Sequence, residues 1–343
     1  MKTRPFGTNS RGKHATMYSF ENKNGMVMEV TDFGATLYSL LLPYKGQLLD
    51  VVLGYDDPAG YEGPSGTFFG ATVGRNANRI HKGEFTLKNK AYKLAINNGP
   101  NNLHSGLDFY SFRIWQVKNI SENSITFSLH SPDGDQGYPG ALDIDVTYTL
   151  TEENSVKIHY RGIPQDETII NLTNHSYFNL NGHDSGTILN HTVWLDADTF
   201  TRADETSIPT GEILPVADTP MDFRTPKAVG RDIAQDYEAL NFGRGYDHNW
   251  CLNNGGQFRK IASLVGDETG ISMDVYTDLP GVQLYTGNFL FDEPGKKGAT
   301  YPNRAGICFE TQYYPDSVNH PNFPSPLFRS GEIYETTTEF CFF

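Results

Sequence analysis

Hydrophobic and polar residues alternate with a period of two along much of this chain. Over 141–150, apolar residues occupy every second position and mostly polar residues the others. Successive side chains of a β-strand point to opposite faces, so this pattern predicts a strand with one buried face. That face is predicted to carry Leu142, Ile144, Val146, Tyr148 and Leu150. The same alternation predicts strands around 26–30, 125–129 and 156–160, and over 332–343.

Turn-forming residues separate these runs, and helical periodicity is scarce. Asn98-Gly99-Pro100 and Asn181-Gly182 are typical of turns, and the clearest candidate helix is short, over 231–240. We therefore predict an all-β protein in which two large antiparallel sheets pack as a sandwich with an open concave face. No break in composition marks a linker, so residues 1–343 are predicted to form a single domain.

Charge limits the choice of partner. The formal net charge at pH 7 is −14, from 27 Lys and Arg against 41 Asp and Glu. Nucleic acids and anionic membranes are bound by basic surfaces, so neither is expected as a partner. The acidity suits a neutral small-molecule substrate, and solubility explains it equally well. The sequence leaves a monomer and a homodimer both open.

The cysteines and histidines do not form a recognisable metal or disulfide pattern. Cys251, Cys308 and Cys341 are far apart and make no CxxC pair, which favours reduced thiols. No secretory signal or long apolar segment is visible, so a cytoplasmic location is expected. The histidines lack HxH or HExxH spacing, and no GxSxG or GxGxxG motif is present. We therefore expect neither a metal nor a cofactor.

Two polar loops are candidates for ligand binding. Segment 74–80 (GRNANRI) offers guanidinium and amide groups, although a structural loop with surface arginines explains it as well. Segment 97–106 (NNGPNNLHSG) combines asparagines with His104. Asparagine both donates and accepts hydrogen bonds, as recognition of hydroxyl groups requires. A turn with left-handed residues is the simpler account of the asparagines, and exposure to solvent is the simpler account of His104.

Two further segments are candidates for acid–base chemistry. In 171–180 (NLTNHSYFNL), strand alternation places His175 and Tyr177 on one face, where the histidine is a candidate general acid; a core histidine is an equally good account. In 304–312 (RAGICFETQ), Glu310 has apolar neighbours on a predicted strand, and burial raises the pKa of a carboxyl group towards that of a general base. A solvated edge-strand glutamate is the alternative. Asp247, in a glycine-rich turn, adds a second carboxylate.

Taken in order, these segments resemble the aldose 1-epimerase (galactose mutarotase) family over nearly the whole chain. Each motif is weak alone, and their shared order is specific. One departure is the stretch 105–109 after His104, where many relatives carry a longer glycine-rich run. The segments that carry the resemblance are DFGATL (32–37), DVVLGY (50–55), GRNANRI, NNGPNNLHSG, GYPG (137–140) with VTYTL (146–150), TNHSYFNL (173–180) and GRGYDHN (243–249).

The resemblance implies a large β-sandwich with an open sugar-binding cleft, an isomerase activity, and a role for each matching residue. It implies that the enzyme interconverts the α and β anomers of free hexoses such as galactose and glucose. Glu310 would be the general base and His175 the general acid of ring opening and reclosure. Tyr177, which strand alternation places on the same face as His175, is added to the binding candidates from the residue pattern. Together the substrate-binding candidates are Arg79, Asn78, His104, Asp247, Gln283 and Tyr177.

Three other functions remain open at this point. A glycoside hydrolase would use Asp247 and Glu310 as its two carboxylates. A hexose-6-phosphate epimerase of the same fold would want more cationic groups around the cleft. A non-catalytic sugar-binding module would need neither His175 nor Glu310.

Overall fold

The structure, a computed structural model, describes residues 1–64 and 66–343 and is built mainly of strands. Two short α-helices interrupt them, α1 (Pro58–Tyr61) and α2 (Glu238–Gly243). In chain order the strands are β1 Lys2–Thr8, β2 His14–Glu21, β3 Val27–Thr31, β4 Thr36–Tyr44, β5 Gln47–Asp50, β6 Thr72–Val73, β7 Arg79–Ile80, β8 Glu84–Leu87, β9 Lys90–Lys93, β10 Asn102–Leu103, β11 Gln116–Ile120, β12 Ser124–Ser131, β13 Leu142–Leu150, β14 Ser155–Pro164, β15 Thr168–Ile169, β16 Thr173–Asn174, β17 Thr192–Leu195, β18 Thr199–Ala203, β19 Pro209–Pro215, β20 Lys227–Ala228, β21 Asp247–Cys251, β22 Arg259–Val265, β23 Ser272–Thr277, β24 Gly281–Tyr285, β25 Glu293–Pro294, β26 Thr300–Tyr301, β27 Cys308–Gln312, β28 Leu327–Phe328 and β29 Tyr334–Phe342.

Three antiparallel sheets contain most of these strands. The largest has nine strands in the order β11-β12-β13-β14-β29-β23-β22-β17-β20. An N-terminal sheet has five strands in chain order, β1 to β5, and a second five-stranded sheet has the order β19-β18-β21-β24-β27. The all-β antiparallel prediction is confirmed.

One hydrophobic cluster joins the three sheets. It includes Met28 of β3, Tyr148 of β13 and Trp250 of β21. The five apolar residues predicted to face inward on β13 are all at most 1% exposed, and burying each such side chain stabilises the fold by about 1.5–3 kcal/mol. The Thr311 and Thr338 hydroxyls, 2.5 Å apart, connect β27 to β29 within this core. The nine-stranded sheet thus packs against both five-stranded sheets. The second layer of the predicted sandwich therefore consists of two sheets.

Strand register determines which side chains of the second five-stranded sheet face away from this core. Asn249 of β21 lies opposite Gln283 of β24, and Gln283 lies opposite Glu310 of β27. Directly opposed residues share a face of the sheet. Their neighbours Trp250 and Val282 belong to the hydrophobic cluster. The polar row therefore lies on the other face, where the candidate site forms.

The predicted helix over 231–240 is largely wrong. The structure begins α2 only at Glu238, after Tyr237, whose backbone is extended with φ −137°. Before it, the Asp232 carboxylate accepts hydrogen bonds from Lys227 Nζ at 2.7 Å and from the Gln235 amide at 2.8 Å. These contacts stabilise an irregular turn in place of helix. Local periodicity did not reveal this, because the Lys227 partner precedes the segment.

The cysteine prediction is confirmed, since Cys251, Cys308 and Cys341 are all free thiols. Among the described residues, no helix has the length and apolar character needed to cross a bilayer.

Candidate active site

A cavity of about 500 Å³ lies over the polar face of β21, β24 and β27. Loops from both halves of the chain also line it, among them those of Phe68, Asn98 and Glu205. Seven of the eight predicted site residues line it, namely Asn78, Arg79, His104, His175, Tyr177, Asp247 and Glu310. The eighth, Gln283, contacts this group through Asp247.

Glu310 and His175 form a buried acid–base pair in this cavity. They are only 2% and 5% exposed, and His175 Nε2 lies 3.6 Å from Glu310 Oε2. That oxygen accepts no hydrogen bond from any described residue. A buried carboxylate oxygen without a donor is costly unless a ligand supplies one. The Glu310 Oε2 atom is therefore available to accept a hydrogen bond from a bound molecule.

The position of His175 is determined by its backbone and by the rings around it. Its N–H donates to the Ala71 carbonyl at 3.0 Å, and its own carbonyl accepts from the Gly70 N–H at 2.8 Å. Gly70 has φ +65°, and a Cβ there would lie 2.0 Å from the Leu37 carbonyl oxygen, so only glycine fits. The imidazole is stacked between Tyr177, at 5.1 Å between ring centroids, and Phe68, at 5.9 Å.

His104 presents a hydrogen-bond donor to the cavity. Its Nδ1 accepts the Asn78 backbone N–H at 3.0 Å, while its own N–H donates to the Asn78 carbonyl at 3.0 Å. Burial, aided by His175 and Arg79, lowers the pKa of His104 well below its ordinary value, so the ring is neutral. A neutral imidazole whose Nδ1 accepts carries its proton on Nε2. His104 is therefore fixed as an Nε2–H donor.

The Nε2–H tautomer of His104 disfavours a metal ion at this site. One ligating atom from each of His104, His175 and Glu310 lies within 4.8 Å of the others, a spacing that suits a metal ion. Metal binding requires a nitrogen lone pair. In His104 one nitrogen uses its lone pair for the Asn78 N–H and the other carries the proton. The residues thus fit a metal poorly, and the expectation of a metal-free site stays a prediction.

Arg79 is oriented by an asparagine that the sequence did not single out as a contact. Arg79 Nε donates to Asn98 Oδ1 at 2.9 Å. The other arginine of the same motif, Arg75, is fully buried and donates to the carbonyls of Pro139 and Gly140 at 2.8 and 2.7 Å. Only the second arginine of GRNANRI, Arg79, thus reaches the cavity. The first, Arg75, stabilises the loop through its buried hydrogen bonds.

The asparagines of 97–106 do not have the left-handed backbone that was their simpler explanation. Positive φ occurs there at Gly99, His104, Ser105 and Gly106. The asparagine side chains act instead as loop supports; Asn97, for example, exchanges two hydrogen bonds with the backbone of Leu103. The alternative of a solvent-facing His104 is also wrong, since its exposure is 5%.

Asp247 and Gln283 form a second polar pair beside Glu310. Gln283 Nε2 donates to Asp247 Oδ1 at 2.8 Å, while Gln283 Oε1 is buried and has no partner among the described residues. Gln283 also lies opposite Glu310 in the sheet, so its side chain is next to Glu310 on the same face. Asp247 itself is half-buried at the cavity wall.

Burial shifts the pKa values of the two catalytic candidates in opposite directions. It raises the pKa of Glu310 well above its ordinary value, with Asp247 adding to the rise and Arg79 opposing it. It lowers the pKa of His175 to about 4, against the contact of the ring with its own backbone carbonyl and the charge of Asp247. Both shifts favour the uncharged forms, as expected when water is excluded. The predicted rise for Glu310 is confirmed.

Sequence reasoning gave no individual role to several residues in or beside the site, among them Phe68, Asn98, Tyr285 and Cys308. Phe68 stacks on both His104 and His175, and no local pattern distinguished it. Cys308 could have been found, because strand alternation places it on the same face of β27 as Glu310.

Comparison with known proteins agrees with this geometry. The family model for aldose 1-epimerase matches residues 16–341. Galactose mutarotase from Bos taurus is 45% identical over 92% of this chain and 90% of its own length. The human galactose mutarotase is 43% identical over 95% of this chain and 94% of its own. The crystal structure of an aldose epimerase homologue from C. elegans superposes with a TM-score of 0.87 at 31% identity, covering 95% of this chain and 98% of that one. The chain belongs to the aldose 1-epimerase family.

Proposed function

We propose that this protein is a mutarotase that interconverts the α and β anomers of free aldohexoses such as galactose and glucose. The observation that supports it best is the buried Glu310–His175 pair, with 3.6 Å between carboxylate oxygen and ring nitrogen. Opening a hemiacetal ring requires removal of a proton at one oxygen and delivery of a proton to the other. A base and an acid held side by side provide both functions in one step.

In the forward step, the Glu310 carboxylate takes the proton of the C1 hydroxyl. The O1 electrons form the aldehyde C=O bond, the bond between C1 and the ring oxygen breaks, and that oxygen takes the Nε2 proton of His175. Rotation about C1–C2 then exposes the other face of the aldehyde. Ring closure reverses both proton transfers, so that Glu310 and His175 return to their starting forms.

The electrostatics of the pair suit a proton that moves between the two residues. With the ring closed, the reactive form has a Glu310 carboxylate and a His175 imidazolium; with the ring open, both residues are neutral. Burial favours the neutral pair, because it raises the pKa of Glu310 and lowers that of His175. Arg79 favours the Glu310 carboxylate, while Asp247 favours the His175 imidazolium and disfavours the Glu310 carboxylate.

The remaining residues would hold the sugar. The His104 Nε2–H donates, the Asp247 carboxylate accepts, and Arg79 donates to hydroxyl oxygens or to the ring oxygen. Asn78 supports both His104 and Arg79, since its side-chain oxygen accepts the Arg79 backbone N–H at 2.9 Å. A fixed sugar leaves C1 as the part free to rotate, which is how positioning lowers a barrier.

Polarimetry tests this function directly. Fresh α-galactose and α-glucose should lose optical rotation faster with the enzyme than without it. Their 6-phosphates and a nitrophenyl hexoside serve as comparison substrates. Preference for the phosphates would favour a hexose-6-phosphate epimerase, and release of nitrophenol would favour a glycoside hydrolase. Sugar binding without any acceleration would favour a silent binding module and reject the proposal.

We further propose that the protein acts in the cytoplasm as a single domain, as a monomer or homodimer, without nucleic-acid or membrane partners. Its three free thiols suit a reducing compartment, and its net charge of −14 disfavours polyanionic partners. Sedimentation of the purified protein at several concentrations measures the oligomeric state.

A further inference from the structure

His175 has a thiol beside the nitrogen that faces away from Glu310. Cys308 Sγ lies 3.6 Å from His175 Nδ1, while Nε2 lies 3.6 Å from Glu310 Oε2. Cys308 and Glu310 are two residues apart on β27 and share a face. One strand therefore contacts both nitrogens of the imidazole.

We propose that Cys308 is a positioning residue, whose sulfur accepts the Nδ1 proton of His175 and so keeps Nε2 as the nitrogen that delivers a proton to the sugar. This inference rests on the proposed mutarotase function. When His175 gives up its Nε2 proton, the N–H bonding electrons remain on Nε2. The ring is then neutral only if its other proton stays on Nδ1.

The choice of sulfur has a chemical consequence. Sulfur is a weak hydrogen-bond acceptor, so it orients Nδ1–H without stabilising the imidazolium strongly. A carboxylate in that place would stabilise the cation and weaken it as an acid. Elsewhere in this chain His191 Nδ1 lies 3.1 Å from an Asp267 oxygen, and His320 Nε2 lies 3.3 Å from an Asp316 oxygen. A hemiacetal ring oxygen is a weak base, so a strongly acidic imidazolium suits the reaction.

The thiol itself stays protonated. Burial, together with the charges of Glu310 and Asp247, raises the pKa of Cys308 well above its ordinary value. The sulfur therefore adds no negative charge next to His175. The other titratable groups that contact or act on His175 are Glu310, His104, Tyr177, Tyr285 and Asp247, and all of them are retained in the Cys308 variants proposed below.

Two substitutions of opposite chemistry test this role. Cys308→Ser provides a stronger acceptor, so the imidazolium is stabilised and the acidic limb of the pH–rate profile, which reports loss of the His175 proton, should move to higher pH by about half a unit to one unit. Cys308→Ala removes the sulfur and leaves only the contact of the ring with its own backbone carbonyl, so the acidic limb should move to lower pH. Turnover should fall by about 3- to 10-fold in Cys308→Ala with KM nearly unchanged. A purely structural role would not move the acidic limb upward in one variant and downward in the other.

Cys251 provides the matched control, because it is a buried free thiol on β21 of the same sheet and contacts Tyr314 and Phe323 instead of His175. Cys251→Ser and Cys251→Ala should leave the limbs in place. Thermal melting establishes that all four variants are folded. Equal shifts in the Cys251 pair, or unmoved limbs in both Cys308 variants, would overturn the proposal.

A second measurement is independent of activity. Nitrogen-15 NMR of labelled histidine reports which ring nitrogen carries the proton. Near neutral pH we expect the Nδ1–H tautomer for His175 and the Nε2–H tautomer for His104. An Nε2–H tautomer at His175 would reject the role of Cys308, even with full mutarotase activity. Absence of mutarotation in the wild type, in contrast, would reject the proposed function and leave the tautomer measurement valid.

Discussion

Replacing Glu310 by glutamine removes the general base while preserving the shape of the site. Glu310 Oε2 accepts no hydrogen bond from any described residue, so an amide there breaks no existing hydrogen bond. The amide can still hydrogen-bond a C1 hydroxyl, and sugar binding should be nearly normal. It cannot take up that proton, so turnover should fall by about 10²–10⁴-fold, the usual contribution of a general base. This corresponds to about 2.7–5.5 kcal/mol of transition-state stabilisation.

The same substitution should make the fold more stable at alkaline pH. The pKa of Glu310 is raised in the folded state above its ordinary value of 4.5. Between these two values the native state binds more protons than the unfolded state, so wild-type stability falls as pH rises. Glutamine does not titrate. Glu310→Gln should therefore melt at a higher temperature than the wild type at pH 8, and the difference should vanish near pH 4.

Two assays test the assignment of Glu310 as the base and the effect of its burial on stability. The first is the decay of optical rotation of fresh α-galactose, corrected for spontaneous mutarotation, and the second is thermal melting at both pH values. Aspartate in place of Glu310 serves as a comparison, since it keeps the carboxylate and shortens its reach. A folded Glu310→Gln protein with near-normal turnover would refute the assignment of the base. Equal melting temperatures for Glu310→Gln and wild type at pH 8 would refute the argument from burial.

Four further outcomes are expected. His175→Asn should lower turnover about as much as Glu310→Gln, and the double variant should lose less than the product of the two effects, because the residues act as one unit; multiplicative losses in polarimetry would contradict this. Arg79→Ala and Asp247→Ala should each raise KM and lower kcat, since a loosely held sugar misplaces C1; unchanged kinetics would remove them from the site. Exhaustive treatment with EDTA should leave activity intact, and reversible loss restored by one metal would require a metal-based mechanism. Gly70→Ala should destabilise the fold by about 1–3 kcal/mol in denaturant titrations and lower kcat by displacing His175; wild-type behaviour would contradict the steric argument.

The alternation of residue types by itself determined the strands and several of the site's orientations. Period-two patterning predicted β13, whose apolar face is fully buried, because a strand places alternate side chains on opposite faces whatever it packs against. The predicted strand around Glu310 is β27, and the apolar neighbours of Glu310 indicated the burial that raises its pKa. Strand formation and the orientation of side chains on a strand depend on neighbouring residues, so the sequence alone predicts them.

Tertiary structure decided which groups meet. Arg75 and Arg79 belong to the same motif, yet one lies in the protein interior and the other reaches the cavity. The tautomer of His104 depends on a backbone N–H that is 26 residues away, and the 3.6 Å approach of His175 to Glu310 joins segments that are far apart in the chain. Strand pairing and sheet packing determine these distances, and they depend on the whole set of long-range contacts. No local pattern of residue types contains that information, because the same pattern is compatible with many partners.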